Sequence, residues 1–248
     1  VSTNEPTEVP EAEARGAVAE SYASIRRALG SAFVPTVYRR LAVHPDALAT
    51  AVAVLPEIVE AAQSTGYTDD LMRTAASLVR PVRGSVAPAP PGAADVVARY
   101  RAANPINLLF AVSLLDTADD GADRPAVMEP SLPPAAAAEE DDIRACHGGQ
   151  VLPGLWRELG GWREWRSSAW AALRQDAAAG GLVSARTAVM TTAVGLGSAT
   201  AVHAARHEVA SLLPAAAALE LRRFPAVIAS MVVEAEWLVR AMKPHTEE

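Results

Sequence analysis

Apolar residues recur along this chain at helical spacing. Tyr22, Ile25 and Leu29 form an i, i+3, i+7 stripe, and Gly30 follows as a stop signal, so a helix is predicted over residues 17–29. A bend at Phe33-Val34-Pro35 leads into a second helix through Tyr38 and Leu41, broken near His44-Pro45. Residues 46–62 read as a third helix, with Asp46 at its N-cap and Pro56 inside or dividing it. Thr68-Asp69-Asp70 is a cap-like start for a helix running to Val79. Residues 81–92 are dense in Pro and Gly and predict a loop. Residues 93–103 are helical in pattern. Asn104 then suits an N-cap, and Pro105 the first turn, of a buried helix reaching to about 118. After a stretch rich in Pro, Ala and acids, helices are predicted from 153, over 162–179, 184–194 and 199–212, and as a pair around Phe224-Pro225. No segment alternates with period two, so no strand is expected. The expected fold is all-α.

The plan is written twice. Val34-Pro35-Thr36-Val37-Tyr38-Arg39-Arg40-Leu41 is echoed by Leu152-Pro153-Gly154-Leu155-Trp156-Arg157-Glu158-Leu159, 118 positions later. Asn104-Pro105 opens the apolar run 106–115, closed by Asp116. Phe224-Pro225 opens the run 226–233 at an offset of 120, closed by Glu234 and Glu236. This period is too long for a solenoid repeat. It predicts a polar N-terminus (1–16), a helical repeat (17–118), a linker (119–142), a second repeat (143–240) and a tail (241–248). Two such repeats would pack about a pseudo-twofold axis with a crevice between them, where small-molecule sites form.

Composition narrows the function. Half of the 248 residues are hydrophobic, and Ala, Leu, Arg and Glu favour helix. The net charge of −7 argues against a nucleic-acid partner, because an acidic chain gains nothing from counterion release. No uncharged apolar run of about 18 residues and no signal-peptide pattern is visible, so no membrane role is expected. The single Cys146 cannot close an internal disulfide, which points to a reducing cytoplasm.

The fragments Glu20-Ser21-Tyr22-Ala23-Ser24-Ile25-Arg26, Arg39-x-Leu41 with His44-Pro45, and Asn104-Pro105-Ile106-Asn107-Leu108-Leu109 stand in the first half. Leu155-Trp156-Arg157-Glu158-Leu159 with Trp162 and the closing apolar helix stand in the second. This pattern resembles the group I 2-haloacid dehalogenase family, all-α enzymes built from two related repeats. In that family an aspartate of the second repeat activates a water, and an asparagine in an Asn-Pro context helps hold it. The water displaces halide directly, with no covalent intermediate. The resemblance matches Asn104 to the asparagine, puts Leu155 where the aspartate stands, and puts Phe33 where a large aromatic lines the pocket. Leucine cannot accept a proton, so the resemblance implies a divergent member without the water base. A three-residue shift would bring Glu158 close to that place.

The catalytic candidates are Asn104, Asp46, Asp116 and Glu234. A carboxylate in an apolar stripe, such as Glu234, has its pKa raised by burial unless a cation is near, which suits a general base; a salt bridge to an arginine is the structural alternative. Glu234 and Glu236 stand two apart on a helix, so one of them is expected to be solvated. The substrate-binding candidates are Phe33, Tyr38, Leu155, Trp156 and Arg157; arginine forks grip carboxylate or sulfate. Arg163 and Arg166 accompany the tryptophans on what also reads as an amphipathic face. His203 and His207 could share a metal, but no third ligand is evident, and no metal or cofactor is expected. Cys146-His147 has the residue types of a nucleophile pair but sits in a turn. Gly195-Leu196-Gly197-Ser198 only imitates a phosphate loop. Three function classes follow. One is a hydrolytic dehalogenase. The second expels a halide or halide-like anion, such as sulfate, from an sp3 carbon by a nucleophile within the substrate, in specialised metabolism. The third is a non-catalytic ligand-binding or partner subunit, and homo- or hetero-oligomers are compatible with all three.

Overall fold

The computed structural model describes residues 8–79, 82, 86–115, 139–148, 152–178, 182–197 and 203–243. Among them every regular element is helical: α1 (Gly16–Leu29), α2 (Thr36–Leu41), α3 (Pro45–Ala53), α4 (Leu55–Ser64), α5 (Tyr67–Leu78), α6 (Pro91–Leu114), α7 (Glu139–Cys146), α8 (Gly154–Leu159), α9 (Arg163–Ala178), α10 (Val183–Gly197), α11 (His203–Leu212), α12 (Ala215–Leu221) and α13 (Phe224–Ala241). Single 3-10 turns stand at Glu11–Glu13 and Gly160–Trp162.

Packing divides the chain into two compact units. The first holds Val1–Tyr67, Ile106–Ala122 and Val194–Pro225; the second holds Thr68–Pro105, Asp123–Ala193 and Ala226–Glu248. Neither is one contiguous half of the chain.

In the first unit α1 buries Tyr22 and Ile25, as the stripe predicts, and ends at Gly30. That residue has φ 58°, a left-handed conformation that glycine adopts without strain, and its N–H reaches the carbonyls of Arg26 and Arg27. α3 packs on α1, α2, α4 and α11. Pro56 divides the expected third helix: α3 ends at Ala53, and the proline sits in the first turn of α4, where its missing N–H costs nothing. Together Pro45–Ser64 has the length and apolar composition of a membrane span, with a mean hydropathy of 1.2. Leu48, Ala51, Leu55 and Ile58 are buried, so this pair serves the core of the unit. Asp46 is not the N-cap. The helix begins at Pro45, with His44 at the cap position, and Asp46 lies exposed in the first turn, where a carboxylate complements the helix dipole.

The predicted break at Asn104-Pro105 is absent. α6 runs unbroken from Pro91 to Leu114, with Pro105 inside it. Pro105 gives no hydrogen bond to the carbonyl four residues back, a cost of about 3 kcal/mol. Burial of Tyr100, Ala103, Leu108, Phe110 and Ala111 along the same helix offsets it. Asn104 is therefore a mid-helix residue. It is buried, and its side-chain nitrogen has no partner among the described residues. As an N-cap it would lose stability on truncation. At its actual position Asn104→Ala is expected to be neutral or to gain up to about 1 kcal/mol, because it removes an unpaired amide and adds helix propensity. A urea melt of the variant reads the sign.

In the second unit α7 begins at Glu139, inside the segment that composition assigned to the linker. Glu139, Glu140, Asp141 and Asp142 fill its first turn, where acids are favoured. α13 is enclosed on all sides, each residue from Ile228 to Leu238 being buried. This is why both Glu234 and Glu236 are buried, against the expectation that one would be solvated. Glu236 instead meets Arg101 at 3.0 Å and Arg240 at 3.7 Å.

Candidate functional site

Four segments of the second unit bring polar side chains to one buried point. α7 ends at Cys146, and His147 follows before the turn at Gly148, whose φ is 92°. Pro153 precedes α8, which carries Trp156 inward. Leu182 just before α10, and Arg186, Val189 and Ala193 on it, form a wholly buried stripe, so the arginine is carried into the core by its own apolar face. α13 supplies Glu234, which has no solvent exposure. The Glu234 Oε1 accepts a hydrogen bond from Arg186 Nη2 at 2.7 Å and lies 2.9 Å from His147 Nε2. Its Oε2 accepts from the Trp156 indole at 2.8 Å. His147 Nδ1 stands 2.7 Å from the Ile143 carbonyl, so that nitrogen carries a hydrogen and donates it.

Burial alone would raise the Glu234 carboxyl. The charge and hydrogen bond of His147, the charge of Arg186 and the Trp156 hydrogen bond together outweigh burial and hold it below the usual carboxylate range. The raised, base-like carboxyl expected for Glu234 is thus replaced by a lowered one, already occupied by three donors. It is poorly suited to take a proton from a substrate.

A second ring of polar contacts surrounds this point. Trp170 donates to Asp142 at 2.8 Å and packs edge-on to Trp156, with ring centroids 4.9 Å apart. Arg174 pairs with Asp142 at 3.2 Å and reaches the Cys146 sulfur at 3.1 Å. Burial, only partly opposed by Arg174, pushes the Cys146 thiol up to about 11, so it is not an activated nucleophile. Trp237 donates to Asp176 at 2.7 Å. Arg166 is buried against Glu139 and Glu140 rather than solvated.

The remaining candidates are scattered. Leu155 is fully buried on α8. On either side of it Tyr100 approaches from α6: its hydroxyl donates to Glu158 at 2.8 Å, and a Cβ at Gly154 would lie 2.6 Å from that hydroxyl. Gly154→Ala is expected to displace Tyr100, break the bond to Glu158 and cost about 1–3 kcal/mol, read by thermal melting. Asn104 follows Tyr100 by one helical turn. Arg157 is half-buried. In the first unit Tyr38 is fully buried 4.5 Å from the Phe110 ring, and its hydroxyl has no partner among the described residues. Burial raises that phenol far above its ordinary value. Phe33 is half-buried and Asp46 exposed. Asp116 lies outside the described residues, as do Ser198 and the side chains of Leu196 and His203. The backbone of 195–197 is part of α10, not a loop. Among the described residues no group of three metal-ligating side chains occurs.

The first unit also carries an open groove of about 720 Å³ between α1, α3 and α4. Ala49 and Val52 line its apolar part, and Glu20, Ser24, Arg27 and Glu60 its polar part. None of the sequence candidates lines it.

Of the candidates, the structure joins Trp156 to Glu234, 78 residues apart. Sequence reasoning missed Arg186 altogether and considered His147 only beside Cys146, a pairing it discounted. The signal for Arg186 was present: an arginine inside the apolar stripe of α10, to set against the glutamates inside the apolar run of α13.

No protein-family model and no curated protein matches the chain. Solved structures do. A D-2-haloacid dehalogenase mutant in complex with D-2-CPA superposes with a TM-score of 0.70 at 16% identity, covering 95% of this chain and 94% of that one. A second structure of a mutant of this dehalogenase gives 0.70 at 17% identity with the same coverage, and the complex with L-LA gives 0.66 at 16%. At this identity the likeness is one of fold, and it extends over nearly the whole chain.

Proposed function

We propose that the chain catalyses expulsion of a halide, or a halide-like anion such as sulfate, from an sp3 carbon of a small molecule, using a nucleophile carried by the substrate. The reading rests on Leu155, which is fully buried and which the sequence resemblance pairs with the family's water-activating aspartate. The dehalogenase fold over 95% of the chain supports the leaving-group step. In the proposed reaction an amine nitrogen of the substrate forms the new N–C bond, the C–X bond breaks, and X⁻ leaves with the bonding pair. The proton lost from nitrogen passes to solvent. Asn104 offers its unpaired amide to the departing anion. Alignment of the reacting atoms supplies the main acceleration, on the order of 7–11 kcal/mol in favourable cases. The step uses no metal or organic cofactor and suits a cytoplasmic biosynthetic enzyme.

The test compares chloride release from two substrates above their spontaneous rates. Racemic 2-chloropropionate has no internal amine and is expected to release none. 2-Amino-4-chlorobutyrate can close a four-membered ring and is expected to release chloride. Fast release from 2-chloropropionate would return the hydrolytic reading. That reading would have to use Glu158, which Tyr100 and Arg99 hold by hydrogen bonds one turn from Leu155; Glu158→Gln would then abolish the activity.

The composition of the two units supports a duplicated origin. The first unit takes the beginning and end of the expected first repeat with the middle of the second; the other unit takes the reverse. We propose a duplication whose repeats exchange their middle segments.

A further inference from the structure

We propose that Arg186 is the floor of a buried site for a small monovalent anion of halide size, in the core of the second unit. This inference rests on the Arg186 cluster alone and stands whether or not the chain is a displacement enzyme. Arg186 is buried, and among the described residues only its Nη2 has an acceptor, the Glu234 carboxylate. Nε and Nη1 are buried and have no partner among the described residues. Buried donors of a charged group are costly to leave unmade.

The charge count leads the same way. His147 donates Nδ1–H to the Ile143 carbonyl, so a single proton lies between its Nε2 and Glu234. If the proton is on the ring, the pair is imidazolium and carboxylate. If it is on the acid, both are neutral. Either way the pair sums to zero, and Arg186 leaves the cluster one positive charge in excess. A water could fill the open donors but could not balance that charge. Among the described residues no further carboxylate balances it by contact. Asp142 is taken by Arg174, and Asp176 is held by Trp237 and bonds to no nitrogen of Arg186. A single small anion satisfies the open donors and the charge together.

The test is thermal melting of the whole chain in sodium bromide against sodium gluconate at equal ionic strength. Gluconate is too large to enter the core. The wild-type melting temperature is expected to rise saturably with bromide, by on the order of 5 °C. Glu234→Gln keeps the Arg186 charge and removes the carboxylate that its Nη2 meets, and is expected to keep the bromide-dependent rise. Arg186→Gln removes the excess and is expected to show none. Equal melting in the two salts for both wild type and Glu234→Gln would overturn the proposal, whether or not Arg186→Gln folds. A bromide rise retained in a folded Arg186→Gln protein would place the anion elsewhere and overturn it as well.

Discussion

Glu234→Ala is expected to lose about 3–5 kcal/mol of folding stability in a urea melt. The loss is large because the removed carboxylate serves three buried partners. Arg186 and His147 lose their counter-ion inside the core, and the Trp156 indole loses its acceptor. None of the three can turn to solvent, since all are buried. The effect has a defined pH dependence. The Glu234 carboxyl is held below its ordinary value in the folded state, so its contribution is fully present above the ordinary glutamate pKa of about 4.3. As the pH falls through the lower folded-state value, the folded protein takes up the proton and the contribution disappears. The stability gap between wild type and Glu234→Ala is therefore expected to be widest at neutral pH and to narrow on acidification below about 4. A gap that widens in acid would contradict the assignment of Glu234 as the ionised member of the cluster.

Leu155→Asp is expected to lose about 3–5 kcal/mol and to gain chloride release from racemic 2-chloropropionate. The loss follows from burial. Leu155 is fully enclosed on α8, so the variant gives up its apolar contacts and places a carboxylate in their stead. The gain follows from the proposed role of the position, since a carboxylate there restores the water base that the resembled family uses. Melting and chloride release must be read on the same preparation. A folded Leu155→Asp protein with no chloride release would break the pairing of Leu155 with the family's aspartate.

The stripes that build one-sided helices were legible in the sequence. Tyr22 and Ile25 point into the core, and Gly30 stops α1 as its freedom at positive φ allows. Asn104-Pro105 was misread because cap and first-turn signals are local, whereas the continuity of α6 comes from burial on both sides of the proline. Glu234 and Glu236 were misread for a related reason. The rule that residues two apart face apart assumes a helix with one wet side, and α13 has none. Asp46 was taken as a cap because it follows a proline, but the helix starts at that proline. The charged cluster was half-visible. Glu234 stood out as a carboxylate in an apolar run, and a salt bridge to an arginine was its structural reading. The partner that satisfies it, Arg186, lies 48 residues away, and His147 lies 87 away. Such pairings are made by packing of separate helices, and no local pattern encodes them.

Mass spectrometry of the product formed in water labelled with oxygen-18 tests the central claim most directly. With 2-amino-4-chlorobutyrate as substrate, the substrate nitrogen is the nucleophile, so the account predicts a cyclic amino acid that carries no label. A hydroxy amino acid carrying one labelled oxygen would mean that water attacks the carbon, and would contradict the account.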